Sequence, residues 1–288
     1  MTVDRVLFVT IESGEIMKQI LRYSFITVLL ALIVACATPT TVIPVSSQQE
    51  IQRERNQQID MMKGSSKPSV PAKKISNETP DQRLARIAAP LGKAGMELCQ
   101  RVFALQSRNC QYQFKVEKSK EINAYADGRN VTVTTGMMDF TTDDELAIVV
   151  GHELAHNIME HVQKTQRNVV LGGVAGLLVD VVAASQGIDT GGNFSKTGAQ
   201  MGVVRYSPAF EEEADYVGLY ILAIAGYPID NAPSFWRKMS AENPNAIDMR
   251  VTHPTNPERY LLLEKTVAEI KRKQSQGLVL QPEIQIKK

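Results

Sequence analysis

The run His152-Glu153-Leu154-Ala155-His156 restricts this chain more than any other feature. On a helix, residues four apart are turned by only about 40° around the axis, so both imidazoles can reach one ion with the Glu carboxylate beside it. That arrangement suits zinc. Three protein ligands leave one position open, the ion lowers the pKa of its water to about 7, and a neighbouring carboxylate takes the proton. His152 and His156 are therefore candidate zinc ligands, and Glu153 is the candidate general base. HExxH also arises by chance in surface helices. Here Ile148-Val149-Val150-Gly151 precede it, and a buried helix is a costly place for such charges without a metal. Thr141 or Thr142 ahead of Asp143-Asp144-Glu145 reads as an N-cap with acids in the first turn.

A third ligand has to come from elsewhere. His161 is nine residues beyond His152, about 180° around a continuing helix, so it is expected to face solvent. The extended metzincin pattern also fails, with Met159 where it needs Gly and Val162 where it needs His. Glu211-Glu212-Glu213-Ala214-Asp215 is the better source, since a carboxylate from a second helix completes a His₂Glu set. Glu211 and Asp215 share a helical face, and Ala214 and Gly218 beside them are small enough for close approach to the first helix. On this reading Glu211 binds zinc, Asp215 accepts the second N–H of His152 and fixes its orientation, and Glu212 and Glu213 are solvated. The competing reading is an acidic helix start stabilised by its macrodipole.

Around these motifs the spacing predicts a helix from Asp81 to about Leu105, with Pro90 a point of kinking. β-formers follow at Tyr112–Glu117 and Val131–Thr135, with a strand and turn at Asn123–Gly128. The stretch 169–192 is rich in Gly, Ala and Val and is expected to form a mobile hairpin or broken helix; a membrane span is the competing reading, against which Asp180 interrupts the apolar run. Helices are predicted from Phe210 to Ala225 and around a loop holding His253. Cys99 and Cys110 are either a disulfide or two buried thiols.

From Met17 the sequence has the layout of a secretory signal: Lys18 and Arg22, then an apolar run from Phe25 to Val34 too short for a spanning helix. Met17 is thus the expected start of translation. Ile33-Val34-Ala35-Cys36 resembles the lipobox of bacterial lipoproteins, which implies an acylated Cys36; an ordinary cleaved signal is the alternative. Ala37 after it, in place of Asp, favours the outer membrane. The domain reading is 1–36 signal peptide, 37–80 flexible tether with a helical patch near Glu50–Met62, 81–273 catalytic domain and 274–288 solvated tail.

The formal net charge of +1 and the 6% aromatic share leave no field or stacking platform for nucleic acid. HELAH, then Ser207-Pro208-Ala209-Phe210-Glu211-Glu212-Glu213-Ala214-Asp215, then Thr252-His253-Pro254 resemble the CaaX-prenyl-protease-like, HtpX-like family of zinc metallopeptidases over roughly Asp81 to Leu263. The resemblance implies an α+β zincin, mainly helical with a small β-sheet, holding one Zn²⁺ through His152, His156 and Glu211, with Asp215 beside them. It also implies that His253 sits at the cleft, stabilising the oxyanion or gating the metal. Asn123, Ala124 and Tyr125 correspond to an edge strand that pairs with an extended substrate. The family's Arg is replaced by Pro208, with Arg205 nearby as a substitute. Together these features point to an endopeptidase anchored by lipid on the periplasmic side of the outer membrane and cutting misassembled envelope proteins. A chaperone-like assembly factor that rarely cuts and a cell-wall peptide hydrolase are the other readings.

Overall fold

Side-chain caps fix the ends of the helices that matter. In a computed structural model that describes residues 40–64, 78–102, 109–185, 188–193, 196, 207–242 and 256–285, the elements run in order α1 (Gln48–Gly64), α2 (Pro80–Val102), β1 (Gln113–Glu117), β2 (Ala124–Ala126), β3 (Asn130–Thr134), α3 (Thr135–Phe140), α4 (Asp143–Ile158), α5 (His161–Ser185), α6 (Pro208–Ala225), α7 (Ala232–Glu242) and α8 (Pro257–Ser275). A capping box starts α4: the Thr142 hydroxyl accepts from the Glu145 N–H, and the Glu145 carboxylate accepts from the Thr142 N–H at 2.8 Å. Ser207 caps α6 with Pro208 in its first turn, and Asn256 caps α8 with Pro257 in the same place. Gly226 ends α6 at φ 84°, in the left-handed region that glycine enters without steric cost.

The sheet has the order β1-β3-β2, with β1 parallel and β2 antiparallel to the central β3. Val131 and Val133 on β3 are fully buried, as a central strand requires. Helix α4 is the axis of the core, buried continuously from Leu146 to Ile158. It packs on α2, which runs through Pro90 to Val102 and contributes Leu84, Ile87, Leu91 and Leu98. It also packs on α6, which contributes Tyr216, Tyr220 and Ile221. The approach of α4 to α6 depends on two glycines: a Cβ on Gly218 would lie 3.2 Å from the backbone of Gly151 and from the Cα of His152. The two helices therefore meet backbone to backbone at the motif itself. Cys99 at the end of α2 is disulfide-bonded to Cys110, with the Cα atoms 5.9 Å apart.

Three expectations change. Within the tether predicted over 37–80, the helical patch expected near Glu50–Met62 is α1, but it is packed rather than solvated: Ile51 and Glu54 are buried, and Glu54 accepts from the Arg237 guanidinium at 2.8 Å. The expected solvated tail is tied down in part. The Glu283 N–H donates to the Tyr216 hydroxyl at 3.0 Å, its carbonyl accepts from Val42 N–H at 2.7 Å, and Lys273 holds the Gln281 carbonyl. The Gly-rich stretch, finally, belongs for most of its length to the continuous helix α5. Gly172, Gly173 and Gly176 each cost about 1 kcal/mol relative to Ala, which a run of Leu, Ala and Val without proline absorbs. This helix leaves Val170, Leu171, Val174, Leu177, Val181 and Val182 exposed, and by length and composition alone it could cross a membrane. Asp180 is turned the other way: it is buried and accepts from the Thr190 hydroxyl.

Candidate metal centre

Helix α4 presents His152 and His156 one turn apart, and α6 brings Glu211 against them. All three are buried, as is Glu153. The Nε2 atoms of the histidines are 3.1 Å apart; Glu211 Oε2 lies 3.4 Å from His152 Nε2, and Glu211 Oε1 lies 3.4 Å from His156 Nε2. Donors around a tetrahedral ion at zinc distances are spaced by about 3.3 Å. Two imidazole nitrogens and a carboxylate, converging at that spacing in a buried position, are chemically suited to hold a divalent ion.

The surroundings are matched to these donors. His152 Nδ1 lies 3.0 Å from Asp215 Oδ1. Asp215 is gripped by Arg259 of α8 through Nε at 2.6 Å and Nη2 at 2.8 Å, and the third guanidinium nitrogen lies 3.0 Å from Glu211. Arg259 is 1% exposed and lies over the Trp236 ring, which also meets the ring of His152. Burial opposes charge on His152, yet its hydrogen bonds to Asp215 and Glu211 prevail and raise its pKa to about 9. Burial governs His156, which is pushed well below the usual imidazole range. Burial also opposes the Asp215 carboxylate, but the charge and hydrogen bonds of Arg259 outweigh it and hold the pKa low.

His152, His156, Glu211 and Asp215 are thus brought together, and Glu153 follows His152 on α4 and is buried. His253, Arg205 and Cys36 lie outside the described residues. Ala124 and Tyr125 form β2, which pairs with β3 alone among the described residues; the Tyr125 hydroxyl donates to Glu117, and Asn123 just before the strand exchanges hydrogen bonds with Thr134. Two expectations are corrected. His161 does not face solvent, because Glu160 adopts φ 55° and ends the helical path, so extrapolating the turn of α4 is invalid beyond it. His161 is buried with its Nδ1 2.8 Å from His156 Nδ1. Glu213, expected in solvent, is buried and takes His161 Nε2 at 2.8 Å. Arg259 was not singled out from sequence either, although its place six residues after His253 set it near a motif already marked.

Residues 92–267 match the family model described as Peptidase family M48, more than half of the chain. The chain belongs to peptidase family M48. The M48 match takes in both helix motifs and Arg259. Among similar curated proteins, the metalloprotease LoiP of Escherichia coli (strain K12) is 33% identical over 152 residues, 51% of this chain and 59% of that protein. A beta-barrel assembly-enhancing protease of Yersinia pestis is 28% identical over 159 residues, 51% of this chain and 33% of that protein. The mitochondrial metalloendopeptidase OMA1 of Arabidopsis thaliana is 30% identical over 135 residues, 46% of this chain and 27% of that protein. The M48 chain therefore spans well under two thirds of the length of each of these relatives.

Proposed function

We propose that this chain is a zinc-dependent endopeptidase of the bacterial cell envelope that hydrolyses peptide bonds in misfolded or misassembled proteins. The observation carrying the proposal is the convergence of His152, His156 and Glu211 at 3.1–3.4 Å with Glu153 buried beside them. Bound there, zinc supplies Lewis acidity toward water and the scissile carbonyl. Glu153 accepts the proton of the attacking water and returns it to the leaving amine. Asp215 orients His152, and Arg259 offsets the charge of two buried carboxylates. His253 stabilises the oxyanion or gates the site, and the strand at Asn123, Ala124 and Tyr125 receives an extended peptide by edge pairing.

The envelope address rests on the secretory layout after Met17 and the lipobox ending in Cys36, which makes the protein a lipoprotein of the outer membrane facing the periplasm. The substrate class, and a link to envelope assembly proteins, are supported by the family and by one relative's name, beta-barrel assembly-enhancing protease.

The test pairs metal analysis with casein cleavage, before and after chelation, on protein beginning at residue 37. Stoichiometric zinc and chelator-sensitive cleavage are expected, and Glu153→Gln should lose about 10²–10⁴-fold in rate while keeping its zinc. Zinc-free protein that cleaves casein at full rate refutes the proposal. A cellular phenotype unaffected by Glu153→Gln favours a binding role over proteolysis, and release of muropeptides without casein cleavage favours cell-wall hydrolysis.

A further inference from the structure

The two histidines of the HExxH motif are held in different ways. His152 meets a carboxylate directly, with Nδ1 3.0 Å from Asp215. His156 meets another imidazole: its Nδ1 is 2.8 Å from His161 Nδ1, and His161 Nε2 is 2.8 Å from Glu213 Oε2. His161 has no exposed surface and stacks on Phe210 with centroids 4.4 Å apart and planes inclined by 8°. The other Glu213 oxygen accepts from the Thr41 hydroxyl at 2.9 Å and from its N–H at 3.3 Å, and Lys164 lies 3.7 Å from Oε2. The far end of the chain of contacts is thereby fixed.

Proton positions along this chain follow from donor and acceptor chemistry. An ionised Glu213 only accepts, so the proton of His161 resides on Nε2. A neutral His161 then has a bare Nδ1, which accepts from His156 Nδ1–H. His156 is left with a bare Nε2 on the side of His152 and Glu211. The opposite assignment, with His161 donating from Nδ1, would put the proton of neutral His156 on Nε2 and block ligation. Burial keeps His161 below the usual imidazole range; it also opposes the Glu213 charge, but the hydrogen bond from His161 holds that carboxyl low.

We propose that His161 and Glu213 are positioning residues for the metal site, an imidazole and carboxylate in series that hold the His156 ring in the Nδ1–H tautomer able to bind a divalent cation. This rests on the reading of His156 as a zinc ligand. A partner on the second nitrogen of a ligating histidine is worth about 10- to 100-fold in metal affinity. His161→Phe keeps a flat ring against Phe210 and removes both nitrogens. Glu213→Gln gives His161 a partner that either donates or accepts, so the direction of the series is no longer fixed. His161→Gln supplies a carbonyl oxygen to accept from His156 Nδ1–H.

The test measures zinc affinity by chelator competition in the full chain and its variants, together with ¹⁵N NMR of the imidazoles in the metal-free protein. His161→Phe and Glu213→Gln should each bind zinc about 10- to 100-fold more weakly. The ¹⁵N signals should place the His156 proton on Nδ1 in the unmodified chain and lose that preference in Glu213→Gln, with His161→Gln recovering part of the affinity. The NMR arm needs no folded variant: a His156 proton found on Nε2 in the unmodified chain overturns the proposal. Tight zinc binding by the unmodified chain and equally tight binding by both variants overturns this proposal alone. Failure of the unmodified chain to bind zinc overturns the ligand reading and this inference with it.

Discussion

Asp215 and Glu211 share one buried counterpart at the centre, the Arg259 guanidinium. Arg259 lies between Asp215 and Glu211 and, against burial, holds the Asp215 carboxyl below its usual range, and losing either side of such a buried pair typically costs about 3–5 kcal/mol. His152 is the group whose protonation responds to conditions, since Asp215 and Glu211 overcome burial and raise it from 6.5 to about 9 in the metal-free protein. A raised folded pKa contributes stability that is complete below 6.5 and disappears as pH climbs through about 9. The metal-free protein should therefore lose stability to urea over that window. Zinc has the opposite dependence, because it must displace the His152 proton: apparent affinity should rise about tenfold per pH unit until about pH 9. Chelator-competition titrations across the range measure this, and an affinity that stays level as pH rises contradicts the proton assignment.

At the level of elements, the centre exists because α4 and α6 touch through glycine. Gly218 lies two turns beyond Glu211 on the same face of α6, so a methyl group there pushes the ligand-bearing helix away from His152. Gly218→Ala should cost about 1–3 kcal/mol and weaken zinc binding, because the atoms in its way are backbone and cannot rotate aside. Gly226→Ala is the control. Its Cβ meets nothing within 4 Å, so it should lose about 1 kcal/mol to the left-handed backbone and leave zinc affinity unchanged. Equal zinc affinities in the unmodified chain and Gly218→Ala dispose of the argument. The same elements show which parts were legible beforehand. HELAH, the Glu211/Asp215 face and the N-cap at Thr141 or Thr142 are local patterns with fixed helical geometry, so sequence spacing translates directly into position. His161 did not translate, because one residue in the left-handed region redirected the path. Arg259 and Glu213 were also missed, since burial of a charge depends on partners from other helices that spacing cannot show. Helix α5 departs from the expected hairpin or broken helix because each glycine costs only about 1 kcal/mol there and no proline interrupts the path.

On the scale of the whole molecule, the N-terminal segment is tied to the metal centre. Ile51 and Glu54 of α1 are buried, Glu54 pairs with Arg237, and Thr41 ahead of them supplies two hydrogen bonds to Glu213. Ile51 alone accounts for about 1.5–3 kcal/mol of apolar burial, with roughly another 1 kcal/mol from the paired charges. Protein beginning at Glu78 should consequently be about 2–4 kcal/mol less stable than protein beginning at residue 37, and should bind zinc more weakly. Beginning the chain at Pro44 separates the two effects. It keeps α1 and its packing but removes Thr41, so stability should remain close to that of the longer protein while Glu213 loses its outer partners and zinc affinity falls. Urea unfolding of the three proteins, each with and without zinc, measures both quantities. Identical curves for the proteins beginning at residues 37 and 78 would mean that this segment is the solvated tether its composition suggests, and that Glu213 is held by His161 and Lys164 alone.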